Sequence, residues 1–88
     1  MTLAEHAAAY LKEHGETKIW AGMFGACGEI YHRSGGRVSH PLNRTKAVID
    51  AARRSSLFFH AGYIRATDTA GRREILHPVF KLNKGEGS

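Results

Sequence analysis

The sequence contains very little cysteine and no long apolar run. Cys27 is its single cysteine, so an internal disulfide is impossible, and one thiol suits a reducing cytoplasm. The uncharged stretch IWAGMFGACG is far shorter than the roughly 20 apolar residues of a membrane-spanning helix. The amphipathic, charged start MTLAEHAAAYLKEH lacks the pattern of a secretory signal peptide. We therefore expect a cytoplasmic protein with no membrane partner.

Metal-binding and catalytic patterns are also absent from the sequence. The spacings of Cys27, His32 and His40 match no known zinc pattern, and no second cysteine exists. The segment GMFGACG has three glycines, but it lacks both the G-K-[ST] of a P-loop and the strand–GxGxxG–helix context of a dinucleotide site. No pair of carboxylates stands out. We expect a protein that is not an enzyme and that uses no metal, cofactor or small-molecule ligand.

Positive charge is abundant and unevenly distributed. The net charge is +5 over the whole chain, but residues 1–30 carry −2 and residues 31–73 carry +7. Such asymmetry favours a polyanionic partner, most often nucleic acid. The alternative is a surface that is charged only for solubility.

The length of 88 residues is enough for one small domain, which buries roughly 60–65% of its unfolded surface. We expect this domain to span residues 1–82. The remaining sequence NKGEGS, residues 83–88, predicts a flexible C-terminal tail.

The first 14 residues have the pattern of a capped helix. Thr2 and Glu5 form the T-x-x-E capping box, in which each side chain satisfies a backbone N–H of the first turn. Apolar residues recur at helical spacing up to Leu11, and Gly15 is a typical residue just beyond a helix end. The pattern predicts a helix over 3–14.

A second helix is predicted over 18–31, with an alternative. Apolar residues follow the i, i+4, i+8, i+11 spacing of a helical stripe at Ile19, Met23, Cys27 and Ile30. The three glycines of this segment each cost about 1 kcal/mol relative to alanine in a helix interior, although they would allow a second helix to approach closely. The alternative is a hairpin around the Gly-Gly pair at 35–36.

The third predicted helix follows the loop RSGGRVSHPL. Asn43 is a good N-cap, although Ser39 or His40 ahead of Pro41 could start the helix a turn earlier. The helix is expected to continue to Gly62. Its inner side would carry Val48, Ala51, Ala52, Ser55 and Phe59, and its outer side would carry Lys46, Asp50, Arg53 and Arg54.

Two β-rich runs complete the chain. GYIRAT and REILHPVFKL are joined by the turn sequence DTAGR, which predicts a hairpin. Pro78 has no N–H to donate, so we expect it on an edge or beyond the pairing. The predicted core consists of Leu11, Met23, Val48, Phe59, Ile64 and Leu76.

This order of three helices and a β-hairpin resembles the winged helix-turn-helix family of DNA-binding domains. The resemblance covers about residues 3–82 and depends chiefly on AARRSSLFFHAGYIRATDTAGRREILHPVFKL. In that family the recognition helix ends in leucine, a few residues, Ala-Gly, a large apolar residue and Ile, and the matching residues are Leu57, Phe58, Ala61, Gly62, Tyr63 and Ile64. The resemblance implies an α+β fold whose C-terminal β-hairpin is the wing. The loop between the second and third helices is longer than the usual tight turn, so either the second helix extends further or the loop contacts the partner.

The start of the third helix is the first candidate for DNA contact. It carries Arg44 and Lys46 but no acid, and the helix dipole makes cations unfavourable there unless a phosphate binds. Asn43, Arg44, Thr45 and Lys46 also have donors and lengths that reach base edges. Arg72 and Arg73 at the hairpin tip could contact phosphates or the minor groove, or could simply protect a strand edge. The full predicted DNA-binding set is Arg37, Asn43, Arg44, Thr45, Lys46, Arg53, Arg54, Arg72 and Arg73.

The sequence therefore predicts a sequence-specific double-stranded DNA-binding protein, such as a small bacterial or phage-type transcription regulator or an accessory factor. One domain of this size buries little DNA surface, so a homodimer is expected. The main alternative is a winged-helix module that binds another protein through the second helix, Trp20 and Phe24. RNA binding is a third possibility, but it favours exposed aromatic residues, and Tyr31, Phe58 and Tyr63 lie in apolar surroundings in the sequence.

Overall fold

The computed structural model describes residues 1–37, 40–68 and 71–83. They form an α+β fold in the order α1 (Leu3–Glu13), β1 (Lys18–Trp20), α2 (Phe24–Arg33), α3 (Pro41–Arg54), β2 (Phe58–Thr67) and β3 (Glu74–Leu82). The three strands make one antiparallel sheet in the order β1-β3-β2. The prediction of an α+β class with a C-terminal hairpin is confirmed.

Helix α1 forms for the reasons that its sequence suggests. The Thr2 hydroxyl accepts the Glu5 N–H at 3.1 Å, and the Glu5 carboxylate accepts the Thr2 N–H at 2.7 Å. The latter hydrogen bond lowers the pKa of Glu5. The helix ends before Gly15, whose φ of 67° favours a residue without a side chain. The predicted capping box and helix end are both confirmed.

The prediction of one helix over 18–31 is wrong. Ile19 belongs to the three-residue strand β1, and the chain turns at Ala21 and Gly22 before α2 begins at Phe24. The Trp20 ring lies directly over Gly22, where a Cβ atom would clash with it. The alternative hairpin around residues 35–36 is not formed either, because α2 extends to Arg33. Of the residues in the apparent helical stripe, Ile19 therefore belongs to β1, whereas Cys27 and Ile30 belong to α2.

The third helix is shorter than predicted, and the earlier of its two possible starts, at Pro41, is confirmed. It begins at Pro41 and not after Asn43, whose N–H donates to the His40 carbonyl at 3.1 Å. It ends at Arg54, so Gly62 does not end it but lies inside β2. Val38 and Ser39, two residues of the predicted loop, lie outside the described residues.

Strand β3 is central and connects the two edge strands. Ile19 pairs with Phe80, and Phe58 pairs with Leu82. Since directly paired residues share a face, these side chains lie on one face, which packs against the three helices. Pro78 lies within β3, but the pairing of β3 with β1 covers only Val79 to Lys81 and does not reach Pro78. Pro78 therefore has a strand neighbour on one side only, in agreement with the prediction.

The core is built where the helices meet this sheet face. Its buried members are Ala4, Ala7, Ala8, Leu11, Ile19, Cys27, Ile30, Val48, Ile49, Ala52, Phe58 and Phe80. The predictions for Leu11 and Val48 are confirmed, whereas Met23 and Ile64 are only partly buried. The predicted burial of Phe59 and Leu76 is wrong, since 44% and 55% of their surfaces are exposed. Phe59 pairs with Lys81 on the outer sheet face, so Phe58 takes its place in the core.

The folded part of the chain extends one residue beyond the predicted boundary at 82. The N–H of Asn83 donates to the Leu57 carbonyl at 2.9 Å, and its side-chain amide donates to the carbonyl groups of Ser56 and Phe58. These bonds attach the end of β3 to the α3–β2 connection. The rest of the predicted tail, residues 84–88, lies outside the described residues.

Candidate nucleic-acid interface

A groove separates helix α3 from the helix-facing side of the hairpin. One part of it, of about 350 Å³, is lined on α3 by Asn43, Lys46 and Arg53. A second part, of about 430 Å³, lies between Arg53 and the sheet residues Tyr63 and Pro78. Arg53 and Pro78 line both parts, so the two parts adjoin. We call this continuous feature the α3–hairpin groove.

Helical periodicity brings the polar side chains of α3 to the groove. Asn43, Lys46, Asp50 and Arg53 are spaced by three or four residues, which places them on one side of a helix. Asp50 is the acidic residue among them, and its carboxylate accepts a hydrogen bond from Arg53 at 3.4 Å. The charges of Asp50 and Arg53 offset each other in part. Lys46 therefore gives this side of α3 a net positive charge.

Aromatic rings line the sheet side of the groove. The Arg53 guanidinium lies 5.9 Å from the centre of the Phe80 ring. The His60 ring is 5.6 Å from that of Phe80 and 4.8 Å from that of Tyr63, in an edge-to-face arrangement with the latter. Tyr63 is 60% exposed. We call Phe80, His60 and Tyr63 the aromatic ladder.

The hairpin tip is held by the side chain of Asp68. Its carboxylate accepts the Arg72 N–H at 2.8 Å, and its backbone N–H donates to the Arg73 carbonyl at 2.7 Å. Gly71 has a φ of 73°, which a residue with a side chain rarely adopts. The guanidinium groups of Arg72 and Arg73 are exposed, so the predicted placement of two cations at the tip agrees with the geometry.

Two of the predicted contact residues are wholly or partly buried, although Thr45 lies at the wall of the groove. Thr45 is only 2% exposed, because its side chain points into the core toward the Cys27 thiol. Arg44 is half-buried, and its guanidinium lies over α2 at Gly28, with Nε 3.6 Å from where a Cβ would be. Sequence reasoning treated Asn43 to Lys46 as one surface, although consecutive helical residues point in different directions. Thr45 cannot reach a partner outside the core.

The remaining predicted cations are exposed. Arg53 and Arg54 lie in the last turn of α3, and Arg37 lies in the α2–α3 connection. Arg33, which the sequence placed in the loop, instead ends α2 and forms ion pairs with Glu13 at 2.7 Å and Glu29 at 3.3 Å. The hydrogen bond that Arg33 donates to the Glu13 carboxylate raises the pKa of Arg33. Arg33 therefore joins α1 to α2 and does not add to the groove.

Sequence reasoning missed Arg65 and Tyr63. Both lie on the helix-facing side of β2, since they alternate with Ile64 along the strand. Both are exposed. The alternation of Tyr63, Arg65 and Thr67 was readable in the sequence. The β-bulge between His60 and Gly62 was not, and it determines which face this alternation occupies.

A separate cleft lies on the other side of the hairpin. It has a volume of about 430 Å³ and is lined by Trp20, Phe24, His77 and Asp68, among others. His77 is buried, and its Nε2 lies 2.9 Å from the Thr67 carbonyl. Phe24 is 44% exposed at the start of α2. Among the described residues that line this cleft, none is an exposed cation.

Within the described ranges, no three histidine, cysteine or acidic side chains are close enough together to hold a metal ion. No helix in the same ranges is long and apolar enough to cross a membrane. Comparison with known proteins found no matching family model, no matching curated protein and no matching solved structure.

Proposed function

We propose that this protein binds double-stranded DNA as a winged-helix domain, with α3 in the major groove and the β2–β3 hairpin as the wing. The order of elements and the β1-β3-β2 sheet support this proposal, because they leave one face of α3 beside the projecting hairpin. An α-helix fits the major groove of B-DNA. The hairpin would then follow the flanking backbone, as in other docking modes that combine a helix with a second contact.

The observation that carries the proposal is the arrangement of cations around the α3–hairpin groove. Lys46 and Arg53 lie on its helix side, Arg65 lies on its sheet side, and Arg72 and Arg73 lie at the end of the hairpin. The acidic residue that lines it, Asp50, is paired with Arg53. Positive charge along a concave surface attracts phosphates, and most of the affinity for DNA comes from such contacts.

The residues of the groove divide by the contacts that they could make. Asn43 and Lys46 are exposed on the first turns of α3, and their donors suit base edges in the major groove. A set of exposed arginines is assigned to phosphates, and phosphate contacts position the protein without reading sequence. These arginines are Arg37, Arg53, Arg54, Arg65, Arg72 and Arg73. Arg44 and Thr45 are left out of this assignment because of their packing. A role in transcription regulation and a homodimer would follow from sequence-specific binding by so small a domain.

A protein-binding module is the second candidate, and one observation favours it. The cleft beside Trp20 and Phe24 is apolar, and Phe24 is partly exposed. Exposed aromatic residues are enriched at protein interfaces. Ala21 lines both this cleft and the groove, but the aromatic and charged side chains of the two surfaces differ, so the two functions can be separated experimentally.

The proposal is tested by the salt dependence of binding to a duplex of random sequence. Affinity measured by fluorescence anisotropy should fall steeply between 50 and 200 mM salt, and the slope of log affinity against log salt should be about −0.9 per phosphate contact. A mixed library of duplexes should then yield a preferred sequence. Absence of binding to any duplex at 50 mM salt would contradict the proposal and favour the protein module.

A further inference from the structure

The aromatic ladder is more than the groove needs for binding a paired duplex. Phosphates are contacted by cations and polar groups, and base edges are read by hydrogen bonds. Tyr63, by contrast, is a large aromatic side chain that is 60% exposed beside the apolar Pro78, its partner across the sheet. The Tyr63 ring lines the groove and does not lie on an open surface, so a ligand held in the groove would contact it.

The surroundings of Tyr63 indicate the chemistry of that partner. The cleft at this end of the groove has a volume of about 430 Å³, within the range of sites for small organic groups. Its rim carries Arg53 on one side, and Arg65 follows Tyr63 on the same strand face. A flat aromatic group attached to a negative backbone matches both features. A nucleobase with its phosphate is such a group, and bases stack on exposed tyrosine and arginine planes.

The ladder also holds Tyr63 ready for stacking. His60 contacts the Tyr63 ring edge to face at 4.8 Å, and His60 itself lies against Phe80, which is buried and contacts the Arg53 guanidinium. The ring at the open end is therefore supported by a chain of contacts that ends in the core. Such support lowers the entropy that Tyr63 loses when a ligand stacks on it.

We propose that the aromatic ladder is a stacking site for an unpaired nucleobase, so that the protein binds a duplex with one unpaired base more tightly than a fully paired duplex. This inference rests on the proposed function, since it assumes that the α3–hairpin groove holds DNA. In a paired duplex the bases are stacked on each other and cannot reach Tyr63. An already unpaired base avoids most of the cost of unstacking.

The experiment compares two duplexes of the same sequence with the full chain. One carries a single bulged 2-aminopurine, and in the other the 2-aminopurine is paired with thymine. The wild-type protein should bind the bulged duplex about 5- to 150-fold more tightly, the range expected for one base–aromatic stack. The fluorescence of the bulged 2-aminopurine should fall on binding, because stacking on tyrosine quenches it.

Variants assign the effect to the ring. Tyr63→Leu should lose the preference for the bulge and Tyr63→Phe should keep it, where the preference is the ratio of the two affinities measured with the same variant. Phe59→Leu is the matched control, because Phe59 is a partly exposed aromatic residue of the same strand on the opposite face. It should leave the preference unchanged. Thermal unfolding of each variant checks that the hairpin is intact.

The outcomes separate this inference from the proposed function. Equal and tight binding of the two duplexes by the wild type would overturn the stacking site and leave the DNA-binding proposal standing. A preference for the bulge that survives in Tyr63→Leu would also overturn it. Failure to bind either duplex would overturn both proposals, and would direct attention to a protein partner for the exposed ring.

Discussion

Three consecutive residues of α3 have three different surroundings. Arg44 lies over Gly28 of α2, Thr45 is buried beside Cys27, and Lys46 is exposed in the groove. A helix turns by about 100° per residue, so neighbours along the chain never share a face. Of the three, only Lys46 is placed to contact a ligand in the α3–hairpin groove.

Lys46→Ala and Arg44→Ala should therefore have different effects. Lys46→Ala should weaken binding to the preferred duplex by about 1–3 kcal/mol if its ammonium reads a base, with little change in thermal stability. Arg44→Ala is the matched control, since it removes the same charge from a position two residues away on the same helix. It should lower the melting temperature, because half-buried packing against α2 is lost. Equal loss of affinity in both variants would contradict the assignment of Lys46 to the groove.

Leu11 should be a large contributor to stability. It is fully buried between α1 and the other helices, so Leu11→Ala should lower the free energy of unfolding by about 2–5 kcal/mol. Leu76→Ala removes the same atoms from a side chain that is 55% exposed and should cost much less. Urea unfolding of the two variants checks this. Similar values for both would show that the assignment of α1 to the core is wrong.

Cys27 should be unreactive in the folded protein. Burial raises the pKa of its thiol to about 12, and the contact with the Thr45 hydroxyl opposes this only in part. Only the thiolate reacts with disulfide reagents, so labelling at pH 8 should require unfolding. The neutral thiol is favoured in the folded state, so its contribution to stability is complete below pH 9 and is lost as the pH rises toward 12. Rapid labelling of the native protein would contradict this.

At the scale of elements, β1 shows what local patterns cannot reveal. Ile19 in this strand has the apolar spacing of a helix with Met23 and Cys27. Strand β1 forms because Ile19 pairs with Phe80, a residue distant in sequence whose position no local signal gives. Burial of Ile19 against the helices then outweighs helix propensity, which is a weak preference for most residues.

The boundary between α3 and β2 was missed for a related reason. Helical spacing from Val48 continues through Ser55 to Phe59, which predicts a longer helix. The chain leaves the helix after Arg54, and the Ser55 hydroxyl accepts the Leu57 N–H at 3.1 Å. A serine bonding to nearby backbone competes with helical hydrogen bonds. Because the chain changes from helix to strand here, Phe58 is buried in the core and Phe59 is exposed.

The two arginines at the hairpin tip should contribute to DNA affinity and not to the stability of the fold. The tip is fixed by backbone bonds to Asp68, so replacing Arg72 and Arg73 by alanine should barely change the melting temperature. Affinity for specific and random duplexes should fall alike, and the salt slope should decrease by up to about two, or about 0.9 for each lost phosphate contact.

The control for the hairpin is the double variant Lys12→Ala, Lys18→Ala, which removes the same charge from exposed positions in α1 and β1. It should keep the wild-type slope. If the hairpin variant instead keeps the slope and begins to aggregate, the two arginines protect a strand edge.

At the scale of the whole molecule, charge is divided between two regions. Arg33 pairs with Glu13 and Glu29 where α1 meets α2, so that region has little positive charge. Lys46 and Arg53 of α3 line the groove, and Arg65, Arg72 and Arg73 lie on the hairpin beside it. The sequence predicted this asymmetry, and it predicted the exposed arginines of the tip. It could not predict the groove itself, because the groove arises from the packing of α3 beside a sheet whose register depends on a β-bulge.

The most direct test of the account is to map the surface that DNA contacts. Amide chemical shifts of the full chain would be recorded by NMR while a short duplex is added. Changes should cluster at Asn43, Lys46 and Arg53 of α3 and at Arg65, Arg72 and Arg73 of the hairpin. Changes confined to the α1–α2 surface near Glu13 and Glu29, or no changes at low salt, would contradict it.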